Sequence, residues 1–258
     1  TLEDHDSLKV GAVAGGTAYL AISGGCAVPR QLGSRSTYQR AGIGGIDGHA
    51  LQKGDSIPCS QSGKRDFRET RGEPLDHGDG PIRVMLGPQA AHFTDEAIET
   101  FLNTPYSATA EQDRMGLRLA GPALAHASPA AADIVSDGVT PGAIQVPANG
   151  LPIILLADCQ TVGGYPKIAT VISADLPRLA HCPPGSTIQF QSVDLAAARH
   201  ALAELRQRWT DWARALQTFL PPGSLDEAAL YGCNLISGMV DAGGFLRGTP
   251  PDLPWECS

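Results

Sequence analysis

The chain of 258 residues has little aromatic or charged material: 5% of it is Phe, Trp or Tyr and 18% is charged. So few aromatics leave no stacking surface of the kind single-stranded nucleic acid requires. The charge that exists leans acidic, at a formal −8, so no basic face is available for a phosphate backbone. Nucleic acid is therefore not expected as a partner. Long hydrophobic runs are missing as well. PIILLA (152–157) is flanked by turn residues, like a buried strand, and is far too short for a bilayer span, so no membrane role is expected. The opening TLEDHDSLKV is acidic and polar, unlike a signal peptide. The six cysteines, at 26, 59, 159, 182, 233 and 257, form no CxxC pair. In a chain this long they read as reduced thiols of a cytoplasmic protein rather than a disulfide framework. The seven histidines are scattered, and His181-Cys182 lacks partner spacing, so no metal is assigned. Gly15-Gly16 and Gly44-Gly45 fit neither glycine-rich phosphate motif.

What the sequence does have is turns and short strands. With 30 glycines, 20 prolines and 42% hydrophobic residues, it suits one large or two small cores with few long helices. PIRVMLGPQ (81–89), YSATA, RMGLRLAG, IVSDGVTPGAIQVPANG, PIILLAD, YPKIATVIS and STIQFQSV are short, often β-branched pieces between Gly or Pro turns. That pattern marks an antiparallel sandwich or barrel rather than βαβ units. TAYLAIS (17–23) and LQKGDSIP (51–58) read as further strands, the second with a turn at Gly54-Asp55. The polar stretch 60–80 reads as a surface linker, with a domain boundary near residue 70.

Two segments carry helical periodicity. FTDEAIETFLN places Thr94 at the N-cap, Asp95 and Glu96 in the first turn, and Ile98, Phe101 and Leu102 on one face. From 195 to 220, Leu195, Ala198, Leu202, Leu205, Trp209, Trp212, Leu216 and Leu220 recur at three and four, capped by Asp194 and stopped by Pro221-Pro222. This amphipathic helix is expected to cover the core; docking of a partner chain on its tryptophans is the alternative. Met85, Met115 and Met239 are expected in the core.

Polar groups concentrate in DCQTVGGYPK (158–167). Asp158 and Gln160 project from one face of an extended chain. Gly163-Gly164 offers a tight turn with backbone N–H donors, and Lys167 adds a mobile positive charge. A carboxylate, a carboxamide, N–H donors and an ammonium suit proton transfer at an amide-like substrate; the plainer account is an Asp158–Lys167 ion pair across a turn. In LGSRSTYQR (32–40), Ser34, Arg35, Ser36, Thr37 and Tyr38 set hydroxyls around one guanidinium. They would hold a carboxylate or phosphate, or else satisfy their own backbone. Arg114 and Arg118 flank Gly116, and Asp113 beside Arg114 reads as an ordinary salt bridge. Asp137 sits at a turn and Gln145 in a strand, where turn chemistry is the plainer account.

Taken in order, YLAISGG, LGSRSTYQRAG, PIRVMLGPQ, DRMGLRLAGP, SDGVTPGAIQVPANGLPIILLADCQTVGGYPKIATVISADL and NLISGMVDA resemble the signature segments of the biotin-dependent carboxyltransferase family. That family includes allophanate hydrolase subunit 2, one of the 5-oxoprolinase subunits and the carboxyltransferase domain of urea carboxylase. The resemblance implies a mainly β fold with a few helices, built as cyclophilin-like β-barrels. One barrel would be complete and C-terminal (71–258), and one partial and N-terminal (1–70). The missing first-barrel strands would come from another chain, or be lost by processing or truncation. Val162 departs from the family's QTTGGYPK, where a second threonine is usual.

The same resemblance implies catalytic roles for Asp158, Lys167 and Gln160. Ligand binding is implied for Arg35, Ser36, Thr37, Tyr38, Arg114, Gly116, Gln145, Gly163, Gly164 and Tyr165. The expected activity is that of a subunit of an ATP-dependent, 5-oxoprolinase-type enzyme that works on a lactam or similar small amide with a subunit-1-type partner. The alternative is carboxyl transfer to urea or a urea-like amide from biotin carried by a partner protein, although the MKM-type biotin motif is missing. A regulatory binding protein without turnover is a third expectation.

Overall fold

A computed structural model describes residues 7–11, 19–22, 24–60, 70–71, 75–180 and 182–218. The chain divides into two compact units, 1–67 with 72–216, and 68–71 with 217–258. In chain order the elements begin β1 (Thr70–Arg71), β2 (Ile82–Leu86), α1 (Asp95–Asn103), β3 (Tyr106–Gln112), β4 (Gly116–Ala120), β5 (Asp137–Gly138) and β6 (Ala143–Gln145). They continue β7 (Ile153–Leu155), β8 (Val162–Gly163), β9 (Lys167–Val171), α2 (Leu176–Ala180), β10 (Thr187–Ile188), β11 (Phe190–Ser192), α3 (Leu195–Arg214) and β12 (Gln217–Thr218). In the second unit, β1 and β12 form an antiparallel ladder.

The first unit is organised by one eight-stranded sheet in the order β10-β3-β4-β7-β6-β9-β2-β11. Its two edge strands, β10 and β11, are consecutive in the chain with Gln189 alone between them. A chain can step from one edge to the other in one residue only if the sheet curls until its edges nearly meet, so the sheet is a nearly closed barrel. β11 runs parallel to β2; the remaining pairings of this sheet are antiparallel.

Period-two alternation fills the interior. Leu117 and Leu119 of β4 are buried while Arg118 between them is exposed. Val84, Ile144, Ile154 and Ile168 bring the other strands into the same core. Helix α1 forms as its sequence requires: the Thr94 hydroxyl accepts from Ala97 N at 3.1 Å, and Ala97 and Phe101 turn inward. Phe101 stacks on Phe190 with ring centroids 4.4 Å apart. Tyr106 packs beside them, donates to Pro122 O at 3.2 Å, and burial pushes its hydroxyl up to about 12. At the start of α2, Asp175 is 1% exposed. It accepts from Arg83 N, Nε and Nη2 at 2.8, 3.0 and 2.6 Å, a paired, charge-assisted lock between β2 and α2.

Three expectations change. TAYLAIS forms no strand over its described residues 19–22, where Tyr19 is 92% exposed; residues 17, 18 and 23 lie outside the described set. LQKGDSIP keeps its turn, with Asp55 N donating to Gln52 O at 3.1 Å, yet forms no strand: Pro58 O accepts from Ala27 N at 2.6 Å, a contact that does not extend into a ladder. The long helix starts as expected, with Asp194 accepting from Ala197 N at 2.8 Å, but ends at Arg214 rather than 220. It buries only Ala201 and Leu205, against Ile172 and Ala174; Leu195, Trp209 and Trp212 stay exposed. The apolar stripe is thus longer than the surface it covers. No helix among the described residues is long and apolar enough to cross a membrane.

Candidate functional site

Lys167 opens β9, and Gln145 closes the neighbouring strand β6 directly opposite it. The register between these strands slips just there, between Ile144 and Gln145; such a bulge re-aims the side chains beside it. Both side chains are buried, Lys167 at 5% and Gln145 at 3% exposure. A buried ammonium needs a partner. Lys167 Nζ donates to Asp137 Oδ2 at 2.8 Å and to Gly138 O at 3.3 Å. Asp137 reaches it because β5 and β8 pair as a short ribbon, Asp137 opposite Gly163.

Gln89 completes this group. Its Oε1 accepts from Lys167 N at 3.3 Å while its Nε2 donates to Asp137 Oδ2 at 3.4 Å, so one carboxamide ties the lysine backbone to the lysine's own counter-ion. The Lys167 hydrogen bond first, then the Gly138 N–H and the lysine charge, hold the Asp137 carboxyl below its usual range. Gln145 Nε2 in turn donates to Tyr165 O at 3.5 Å. The two glycines of the 163–164 pair differ. A Cβ on Gly163 would overlap the Gln145 carboxamide, whereas one on Gly164 would meet nothing closer than Ile134 O at 3.6 Å. Neither has positive φ, so close approach, not turn strain, asks for glycine at 163.

Asp158 belongs to a different group. It holds Arg114 bidentately, Oδ2 to Nε at 2.9 Å and Oδ1 to Nη2 at 3.1 Å, and its N–H donates to Arg114 O at 2.8 Å. Next to it, Asp113 accepts from Met115 N and Gly116 N at 2.8 and 3.1 Å. Its other oxygen takes Arg40 Nη2 at 3.0 Å. Burial pushes the Asp113 carboxyl up, but these N–H donors and Arg40 outweigh it and leave it lowered.

The register explains why the two groups separate. Lys167, Gln145, Ile153 and Arg118 share one rung of the sheet, while Gly116 and Leu155, which lead to Arg114 and Asp158, lie at the other end of these strands. The expected Asp158–Lys167 pair is therefore not formed: each has its own partner. Gln160 is exposed between them, and the Tyr165 side chain is 42% exposed.

The 32–40 segment settles its own backbone. Arg35 Nε donates to Val28 O at 3.0 Å, Ser36 N to Ser34 Oγ at 3.0 Å, and Tyr38 N to Ile43 O at 2.7 Å. Thr37 packs its hydroxyl against Gly45, where a Cβ would collide with it. The segment reaches the barrel through Arg40 rather than Arg35. Sequence reasoning did not single out Gln89 and Arg40, and it took Asp137 for a turn residue. The available signal was their position inside PIRVMLGPQ, LGSRSTYQR and SDGVTPG.

Comparison with known proteins agrees with this architecture. A family described as "Carboxyltransferase domain, subdomain A and B" matches residues 1–192. The chain is 40% identical over 184 residues to a 5-oxoprolinase subunit of Escherichia coli, covering 71% of this chain and 58% of that protein. It is 30% identical over 220 residues to the urea amidolyase of Lachancea kluyveri, covering 75% of this chain and 12% of that one. The crystal structure of the K. lactis urea amidolyase superposes with a TM-score of 0.67 at 27% identity, covering 84% of this chain and 14% of that one. The chain thus spans little more than half of the bacterial relative and a small part of the fungal ones. With the family matching 192 of its 258 residues and the same barrel recurring in a solved relative, this chain belongs to the carboxyltransferase domain family, subdomains A and B.

Proposed function

We propose that this chain is a subunit of a 5-oxoprolinase-type enzyme, acting with partner chains on a lactam or similar small cyclic amide. The observation that carries the reading is the difference in likeness. Identity is 40% to the bacterial 5-oxoprolinase subunit against 30% to urea amidolyase, over similar shares of this chain. The buried groups suit such a substrate. Lys167 has two of its three ammonium donors committed, leaving one for the anionic group of a ligand, beside the Gln145 carboxamide. Asp158 lies with Arg114 at the other end of these strands, so a proton it takes or holds belongs to a second reacting group, not to the part of the ligand that Lys167 steadies. Residues 1–70 would be the remaining part of a first barrel.

The reaction is expected to use ATP, but the residues around Lys167 do not fit a triphosphate. One ammonium faces one carboxylate there, with no surplus of positive charge and no glycine-rich phosphate loop. No step at this site is assigned to the nucleotide, which we place elsewhere in the complex.

A second reading, carboxyl transfer to urea from a partner's biotin, is supported by the structural match to a urea amidolyase over 84% of the chain. The deciding experiment mixes the chain with the partners that co-purify with it and supplies either 5-oxoproline and ATP or urea and a carboxylated biotin carrier. Release of glutamate with ADP supports the first reading. Carboxylated urea with no glutamate overturns it.

A further inference from the structure

Residues 24–60 have almost no core: among the described residues there, Val28 is the one buried hydrophobic side chain. The ends of this segment meet in a single antiparallel bridge, Cys26 opposite Cys59. The flanking bonds, Ala27 N to Pro58 O at 2.6 Å and Ser60 N to Gly25 O at 3.0 Å, make the two cysteines a non-hydrogen-bonded pair. In such pairs the Cα atoms approach to about 4.5 Å and the side chains are closest. A disulfide spans Cα separations of about 4.4–6.8 Å, so the backbone already stands at a bridging distance. Both thiols are free and exposed, whereas Cys159 and Cys182 are part-buried and lie on separate loops.

We propose that Cys26 and Cys59 are a modification site: they form a reversible cross-strand disulfide that closes the loop 27–58. The sequence-based reading of reduced, unpaired cysteines describes its open state. The oxidant is a small-molecule disulfide. One protein thiolate attacks it, forming a mixed disulfide and releasing one small thiol. The second protein thiolate then attacks the protein sulfur of that mixed disulfide and expels the second small thiol. Two protein thiols lose two electrons and two protons in total, and the small disulfide is reduced to two thiols. The closed loop carries Arg40, which pairs with Asp113 on the barrel, so the bridge restrains the segment that touches the Asp158–Arg114 group.

The test equilibrates the whole chain, natively folded, with defined mixtures of oxidised and reduced glutathione. Free thiols are then alkylated, and the protein is digested without reduction for mass spectrometry. The expected result is a linked peptide pair containing Cys26 and Cys59 and a chain lighter by two hydrogens. Dithiothreitol reverses both, and the linkage appears at glutathione ratios that leave Cys159 and Cys182 alkylated. In Cys26→Ser the remaining Cys59 stops at the glutathione adduct, and the converse holds for Cys59→Ser. The proposal is overturned if the unmodified chain carries separate glutathione adducts at 26 and 59, or if either cysteine bridges Cys233 or Cys257 instead.

Discussion

Residues 24–60 and the barrel strands between 82 and 192 are held in opposite ways. The first segment turns through Gly33, Gly42, Gly44, Gly45 and Gly48 at positive φ and closes local backbone bonds with few buried side chains. The barrel buries a continuous apolar core and, inside or against it, Asp175, Lys167 and Gln145. Polar side chains in the first segment face water, so their bonds are weak and replaceable. In the barrel the buried charges of Asp175 and Lys167 each depend on particular partners, because an orphaned one is costly. Commitment of a polar side chain therefore follows burial, not the density of polar residues along the sequence.

The sharpest break in this comparison is Arg83→Met. It removes both guanidinium bonds to buried Asp175 and leaves Arg178 Nη1, at 3.8 Å, as its counter-ion. The change should cost about 3 kcal/mol, seen as a fall in the denaturation midpoint; a near-neutral result would mean that Arg178 alone satisfies Asp175. Next is pH. Tyr106 has its hydroxyl raised from 10.0 to about 12, so its contribution is complete below pH 10 and is lost as pH rises from there toward 12. The unfolded chain releases a proton that the folded one keeps. Chemical denaturation at stepped pH should show a decline of roughly 1.4 kcal/mol per unit at most in that window, absent in Tyr106→Phe.

Smaller still is the contrast within the glycine pair. Gly163→Ala forces the Gln145 carboxamide aside and should cost about 1–3 kcal/mol, while Gly164→Ala should cost much less; equal costs would remove the close-approach account. The smallest effect belongs to the first segment. Arg40→Ala removes an exposed pair, its two side chains 64% and 52% exposed, and should change stability by about 1 kcal/mol or less.

The barrel was readable from sequence because its signals are local. Alternation in RMGLRLAG, the Thr94 and Asp194 caps and the Gly and Pro turns each fix structure within a few residues. Which polar residues meet was not readable, because register decides it. Asp158 and Lys167 are close in sequence, but the chain between them runs back along the sheet, so each finds a distant partner, Arg114 and Asp137. Gln89 stood only as the last residue of the strand-like PIRVMLGPQ, and the pairing of β2 with β9 sets its side chain against Lys167 N. The end of α3 was misplaced for a related reason: its apolar period continues after the surface beneath it has ended.

Buried Lys167, held by Asp137 and Gln89, is the residue we propose to steady a ligand's anionic group in a 5-oxoprolinase-type subunit. The most direct measurement compares 5-oxoproline turnover by the assembled complex carrying either wild-type chain or Lys167→Met, with denaturation and partner binding checked in parallel. In Lys167→Met, kcat/KM should fall by about 100-fold or more while the variant stays folded and bound to its partners. Turnover equal to wild type in a folded, assembled variant would contradict it.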